Sequence, residues 1–106
     1  MANQTIDLSR AFAALGDPTR RALFERLGRK ALAVNKLAEG FSVSRSAVSQ
    51  HLKVLKEAGL VRHEADGARG VYRIDPRGLE KMRGFLDKFW ERALHAFKAA
   101  AEAEEP

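Results

Sequence analysis

The 106-residue chain has no cysteine, and it has only three prolines, one tryptophan and one tyrosine. The absence of thiols excludes a disulfide framework, a thiolate metal site, a cysteine nucleophile and a thiol redox sensor. No apolar run approaches the ~20 residues that a membrane-spanning helix needs, so we expect no membrane partner. The first residues lack the basic and apolar segments of a secretory signal, which predicts a cytoplasmic protein.

Positive charge is concentrated in the middle of the chain. The whole sequence has a formal net charge of +5, whereas residues 17–73 hold 12 basic and 6 acidic side chains, a net charge of +6. A basic region of this kind favours a polyanionic partner, most simply nucleic acid. A basic surface without a partner gives the same balance, so charge alone leaves both interpretations open.

Apolar residues recur at helical spacing through most of the chain, and one segment has the pattern of a β-hairpin. The pattern predicts helices that end at 16 and at 28, helices over 34–38 and 44–58, strands over 60–64 and 70–74 around a turn at 65–69, and a helix from 76 to about 101. Four helices, a two-stranded wing and a long C-terminal helix make a winged helix-turn-helix fold, mainly α with a small β-hairpin.

We therefore expect one DNA-binding domain over 1–106. Within it, we predict a helix-turn-helix over 33–58, a wing over 60–74 and dimerisation helices over 1–15 and 76–101. Ser42 stands in the turn where such motifs often have glycine, so the sequence leaves the backbone of that turn undetermined.

The predicted fourth helix has two contrasting faces. At about 100° per residue, a polar arc of about 140° carries no acid except Glu57 near its end, and an apolar arc is left to pack. The polar arc holds Arg45, Ser46, Ser49, Gln50 and Lys53, and the apolar arc holds Val48, Leu52, Val54 and Leu55. Arg45 suits a guanine edge and Gln50 an adenine edge in the major groove. An ordinary solvated face is the alternative, but the preceding tight turn favours a reading helix.

The wing adds basic side chains that can follow the DNA backbone or enter a minor groove. Lysines near the end of the reading helix would meet phosphates, which position a protein without specifying sequence. The predicted DNA-binding residues are Ser44, Arg45, Ser46, Ser49, Gln50, Lys53, Lys56, Arg62, Arg69 and Arg73.

The last helix carries more large apolar residues than a monomer of this size needs. A wide aromatic face on a terminal helix predicts burial against a second copy, although the first helix could instead cover it within one chain. The predicted dimer-interface residues are Leu8, Phe12, Leu86, Phe89, Trp90, Leu94 and Phe97. A dimer would present two reading helices to two DNA half-sites.

Three segments carry a family resemblance: FAALGDPTRRALFERL, SVSRSAVSQHLKVLKEAGLV and the hairpin DGARGVYRID. They resemble the ArsR/SmtB family of small prokaryotic winged-helix repressors, over about residues 6–97. The resemblance implies a homodimer that binds operator DNA, blocks transcription and is released by an effector. It also implies that residues 44–58 form the recognition helix.

The resemblance bears on metal sensing as well. Metal-sensing members carry paired cysteines on the third helix, and here Ala33 and Asn35 stand at those positions. Other members use Asp and His pairs on the last helix. Here Lys98 and Ala99, three and four residues after His95, stand where a second metal-binding side chain would be needed. We therefore predict no metal and no cofactor, and the effector is left as a small organic molecule, a partner protein or none.

Two other functions compete with DNA binding. A winged helix used as a protein-interaction module would explain the aromatic last helix, but the basic face, nearly without acids, argues against it. An enzyme would need a nucleophile with a base, a carboxylate pair, a phosphate-binding glycine loop or a metal cluster. The sequence shows none of these patterns, so we predict that the protein is not an enzyme.

Overall fold

In the computed structural model, which describes residues 7–66 and 69–104, the chain forms five helices and one hairpin. The elements are α1 (Leu8–Gly16), α2 (Pro18–Arg29), α3 (Val34–Ala38), α4 (Arg45–Glu57), β1 (Val61–Asp66), β2 (Arg69–Ile74) and α5 (Pro76–Ala103). This order confirms the predicted winged helix-turn-helix fold. The turn predicted over 65–69 is wrong in extent, because residues 65, 66 and 69 belong to the strands. Residues 67 and 68 lie outside the described residues.

Short polar side chains set where the helices begin. The carboxylates of Asp7, Asp17 and Asp75 and the hydroxyl of Ser44 accept hydrogen bonds from backbone N–H groups in the first turns of α1, α2, α5 and α4. These bonds satisfy N–H groups that have no partner within the helix. The N–H of Arg20 is the main reason that the pKa of Asp17 is lowered. Only α3 starts at a residue without a side-chain cap, Ala33, as its sequence predicts.

The core lies where α2, α3, α4 and the start of β1 meet. Its largest fully buried apolar side chains are Leu23, Leu37, Val48, Leu52, Leu55, Leu60 and Val61. On α4, the apolar arc therefore packs as predicted at Val48, Leu52 and Leu55. The exception is Val54, which was predicted in the same apolar arc but is 36% exposed. The error arises because the spacing of 100° per residue gives the direction of each side chain from the helix axis, but not which elements pack beside the helix.

The turn between α3 and α4 is shaped by Gly40 and by Arg26 of α2. Gly40 has a φ of +86°, a left-handed conformation that glycine adopts without steric cost. The Arg26 guanidinium donates to the carbonyls of Leu37 at 3.1 Å and Glu39 at 2.5 Å, which satisfies the open end of α3. No described non-glycine residue has a positive φ, so Ser42 stands in the turn without strain. The left-handed residue of this turn is Gly40, two positions before Ser42.

The wing is fastened to the body of the domain at its base. Antiparallel pairing runs from Val61 opposite Ile74 to Asp66 opposite Arg69. Leu32, between α2 and α3, adds a bridge to Tyr72 with N···O distances of 3.0 and 2.8 Å. This bridge fixes the inner side of β2 next to the start of α3.

The beginning of α5 is also attached to the body. The N–H of Gly78 donates to the Gly59 carbonyl at 3.1 Å, and a Cβ at Gly78 would lie 2.4 Å from that oxygen. The preceding Asp75 is buried, and its carboxylate pairs with Arg77 at 2.6 Å. Among the described residues, no helix is long and apolar enough to cross a membrane.

Candidate nucleic-acid interface

The exposed face of α4 contains all the residues that the sequence predicted there. Arg45, Ser46, Ser49, Gln50, Lys53 and Lys56 are all exposed. Ser44 is exposed as well, but its hydroxyl oxygen caps the helix by accepting from the Ala47 N–H at 3.0 Å. The face is held outward because the opposite side of α4 is anchored in the core. Its side chains are free to enter a groove of about the width of a helix.

The one acid of α4 is the exposed Glu57, four residues after Lys53, and it forms no ion pair with the cations of this face within the described residues. Within the described residues, Arg45, Lys53 and Lys56 take part in none of the ion pairs, which instead involve α3, the wing and α5. An unpaired exposed cation keeps its full charge for a phosphate or a base edge. The electrostatics of α4 therefore suit a polyanion.

The wing arginines differ from those of α4, because they share an acid. Arg62 and Arg73 lie opposite each other across the hairpin, and both bind the carboxylate of Glu64, with Nε···O distances of 3.2 and 2.6 Å. Two positive charges are thus partly offset by one negative charge. The side chain of Arg69 lies outside the described residues, so its predicted contact with DNA stays a prediction.

A cleft of about 470 Å³ separates the reading helix from the wing. It is lined by Ala33, Val34, Asn35, Lys36, Arg45, Ser49, His63, Gly70 and Tyr72. The rings of His63 and Tyr72 pack at 4.7 Å and form its wing side. The His63 ring also lies across Gly70, where a Cβ would come within 2.1 Å of its Nε2 atom. Glycine at this position therefore gives the imidazole room to lie against the strand.

Strand alternation divides the wing into an inner and an outer face. His63 and Tyr72 face the cleft that also holds Arg45, whereas Arg73 lines a shallow hollow beside the end of α2, over residues 27–31. Because successive side chains point to opposite faces of a strand, Arg62 shares the outer side with its cross-strand neighbour Arg73. The structure thus does not bring Arg62 and Arg73 together with the exposed face of α4.

Sequence reasoning missed Asn35, Lys36, His63 and Tyr72 as neighbours of the reading face. None of the four is among the DNA-binding residues predicted from the sequence, although α3 belongs to the predicted helix-turn-helix over 33–58. The alternation of β1 and β2 is visible in the sequence, but only the bridge from Leu32 to Tyr72 shows which face turns toward α3 and α4.

A second exposed surface lies on α1 and α5. Phe12 packs edge-on against Phe85 at 5.8 Å, so α1 covers only the first part of the α5 stripe. Further along, Trp90 is 65% and Phe97 74% exposed, and Leu86, Phe89 and Leu94 are at least half exposed. Leu8, also predicted at the interface, is partly buried against the core of its own chain, and its place in an interface stays a prediction.

The acids and histidines of the described residues do not gather into a metal-binding group. No three His, Asp or Glu side chains come together in this part of the chain. On α5, the Asp87 carboxylate lies 3.6 Å from the Arg83 guanidinium in an exposed ion pair.

Comparisons with known proteins agree with this geometry. A family described as "Helix-turn-helix domain" matches residues 15–64. The HTH-type transcriptional regulator Rv2034 of Mycobacterium tuberculosis is 53% identical over 95 residues, which cover 90% of this chain and 89% of that protein. The transcriptional repressor SmtB homolog of Synechocystis is 40% identical over 70 residues, 66% of this chain and 52% of the homolog.

The fold has a solved counterpart in an ArsR-like transcriptional regulator from Rhodococcus sp. RHA1. That structure is 36% identical, superposes with a TM-score of 0.75, and the match covers 89% of this chain and 92% of the other. Its similarity extends over the helix-turn-helix and the elements that flank it. The chain described here therefore belongs to the ArsR/SmtB family of winged helix-turn-helix transcriptional regulators.

Proposed function

We propose that the protein is a sequence-specific transcriptional repressor that binds operator DNA as a homodimer. The observation that carries the proposal is the exposed face of α4, which holds no acid except Glu57 at its end and in which Arg45, Lys53 and Lys56 have no ion-pair partner among the described residues. Such a face can enter the major groove, while the buried side keeps the helix rigid. A repressor that acts on DNA would work in the cytoplasm.

The side chains of α4 divide by chemistry into two roles. Arg45 can donate two parallel hydrogen bonds to guanine, and Gln50 can pair with adenine, so these two residues would select sequence. Ser46 and Ser49 are small enough to let the helix approach the base edges. Lys53 and Lys56, closer to the end of α4, would bind phosphates and set the register of the helix on the duplex.

The exposed stripe of α5 supports the homodimer. A contiguous apolar surface of this kind is uncommon on a monomer, and a two-fold axis lets one stripe cover its own copy. The two α4 helices of a dimer can then meet half-sites about one DNA turn apart. Alone, one copy would hold only half of the operator contacts.

We further propose that the effector is not a metal ion. Ala33 and Asn35 offer no thiolate, and within the described residues no three His, Asp or Glu side chains gather into a metal-binding group. Zinc or cadmium should therefore leave operator affinity unchanged. A metal-dependent loss of affinity that disappears in His95→Ala would contradict this part of the proposal.

Selection from a pool of randomised 30-base-pair duplexes, followed by fluorescence anisotropy on the selected operator, tests DNA reading. Arg45→Ala and Gln50→Ala should each weaken operator binding at least tenfold, since a lost bidentate base contact costs roughly 1–3 kcal/mol. Arg92→Ala, an exposed arginine on α5, is the matched control and should change affinity less than twofold.

If no sequence is enriched, or if both α4 variants bind as the wild type does, the reading helix is wrong. The protein-interaction module is then the better hypothesis, because the exposed aromatic stripe of α5 would still need a partner. That alternative predicts a partner whose binding is lost on Trp90→Glu and does not depend on DNA.

A further inference from the structure

The cleft between α4 and the wing has a definite place in a complex with DNA. This inference rests on the proposed function: α4 enters a major groove, and the wing reaches the adjoining minor groove. Neighbouring grooves of a duplex are separated by one sugar–phosphate strand. That strand must therefore pass between α4 and the wing, where the 470 Å³ cleft opens.

The lining of the cleft has the chemistry that a phosphate requires. Lys36 comes from α3 and Arg45 from α4, so positive charge stands on two sides. Neutral donors complete the lining, with the Asn35 amide, the Ser49 hydroxyl and the Tyr72 hydroxyl. None of the lining residues is an acid.

Lys36 is available for such a contact. Its one ion pair within the described residues is with Glu39 at 3.8 Å, and both side chains are about two-thirds exposed. A solvated pair of this length contributes roughly 0–1 kcal/mol, so a DNA phosphate can replace it at little cost. The outer wing is different, because Arg62 and Arg73 are both within 3.2 Å of Glu64, which offsets part of their charge.

We propose that the inner face of the wing, and not the outer face with its arginines, binds the DNA backbone. In this arrangement Lys36 neutralises a phosphate of the strand that crosses the cleft, and the Tyr72 hydroxyl donates a hydrogen bond to it. Arg62 and Arg73 then act through their long-range charge alone.

The test uses a 30-base-pair duplex of arbitrary sequence, because phosphate contacts do not depend on sequence. Affinity is measured by anisotropy over a range of KCl concentrations, with Lys36→Gln, Tyr72→Phe and the outer-face control Arg73→Gln. Circular dichroism and the urea midpoint of each variant verify that it is folded. The same variants are then measured on the selected operator.

The three variants should behave differently. Lys36→Gln should lower the slope of log affinity against log salt by about two, one phosphate for each half-site of a dimer. Tyr72→Phe removes a neutral donor, so it should weaken binding about fivefold or more and leave the slope unchanged. Arg73→Gln should alter affinity less than about twofold, with little change of slope.

Two results would overturn the proposal while leaving DNA binding intact. One is a Lys36→Gln variant with the wild-type slope, and the other is a loss of about two in the slope for Arg73→Gln. Failure of the proposed function looks different: the wild type would bind no duplex in a salt-dependent way, or Arg45→Ala would leave the operator affinity unchanged.

Discussion

The two ends of α5 make the most instructive contrast in the molecule. Its first two turns are attached to the body, with Gly78 and Met82 buried and the capping residue Asp75 buried just before them. From residue 83 to 103 every side chain is exposed, although the apolar stripe continues through Leu86 and Leu94 to Phe97. The apolar stripe of α5 is thus covered by its own chain only at the beginning of the helix. The remainder of the stripe needs a partner from outside the chain, which supports a second copy.

The largest expected effect comes from charging the distal stripe. Leu94→Glu should convert the dimer to a monomer, because a buried unpaired carboxylate costs roughly 3–5 kcal/mol and two-fold symmetry places it in the interface twice. Sedimentation equilibrium would show the mass fall by half. The control is Lys88→Glu, an exposed position on the polar side of α5, which should keep the wild-type mass. A wild-type protein that is monomeric at every concentration would contradict the inference that a second copy covers the distal part of the stripe.

The next largest effect is expected from substitutions at two glycines of α5, which should change the free energy of unfolding in opposite directions. Gly78→Ala should lower the free energy of unfolding by roughly 1–3 kcal/mol, since the new Cβ would collide with the Gly59 carbonyl oxygen. Gly84→Ala meets nothing within 4 Å and should raise the free energy of unfolding by up to about 1 kcal/mol through helix propensity. Urea unfolding of both variants measures the difference. Equal changes of the same sign would mean that the start of α5 is not tightly attached.

The smallest expected effect is on the pH dependence of stability, and it arises at the N-terminal end of α5, which is attached to the body. The pKa of Asp75 is lowered, chiefly because the Arg77 side chain hydrogen-bonds to its carboxylate. A lowered pKa in the folded state contributes stability above the ordinary carboxyl pKa of about 4, and that stability is lost as pH falls through the folded-state value. Asp75→Asn should therefore reduce stability by about 1–2 kcal/mol at pH 7 and by less at pH 2–3.

Asp87→Asn is the matched control for that pH dependence, at the unattached end of α5. Its ion pair with Arg83 is 3.6 Å long and well exposed, so the substitution should change the urea midpoint little at any pH. A stability loss in Asp75→Asn that stays the same from pH 7 to pH 2 would show that the Arg77 pair is not the cause.

Much of the fold could be predicted from local chemistry. Asp17 followed by Pro18, and Ser44 before an apolar run, mark helix starts wherever they occur, because a short side chain satisfies N–H groups within three residues of itself. The apolar period of α4 identified its buried side for the same reason, apart from Val54. The exposed polar face of α4 followed directly, since it is what remains outside once the other side packs.

What only the tertiary structure decided depends on contacts between distant segments. The sequence shows two alternating strands but not which face turns toward α3, and the Leu32 bridge to Tyr72 settles that. It shows arginines in the wing but not that Arg62 and Arg73 share Glu64. It shows an apolar stripe on α5 but not where the cover ends, at Phe85 beside Phe12. Local patterns determine elements and their faces, whereas the neighbours of each face are set by packing, which no short stretch of sequence contains.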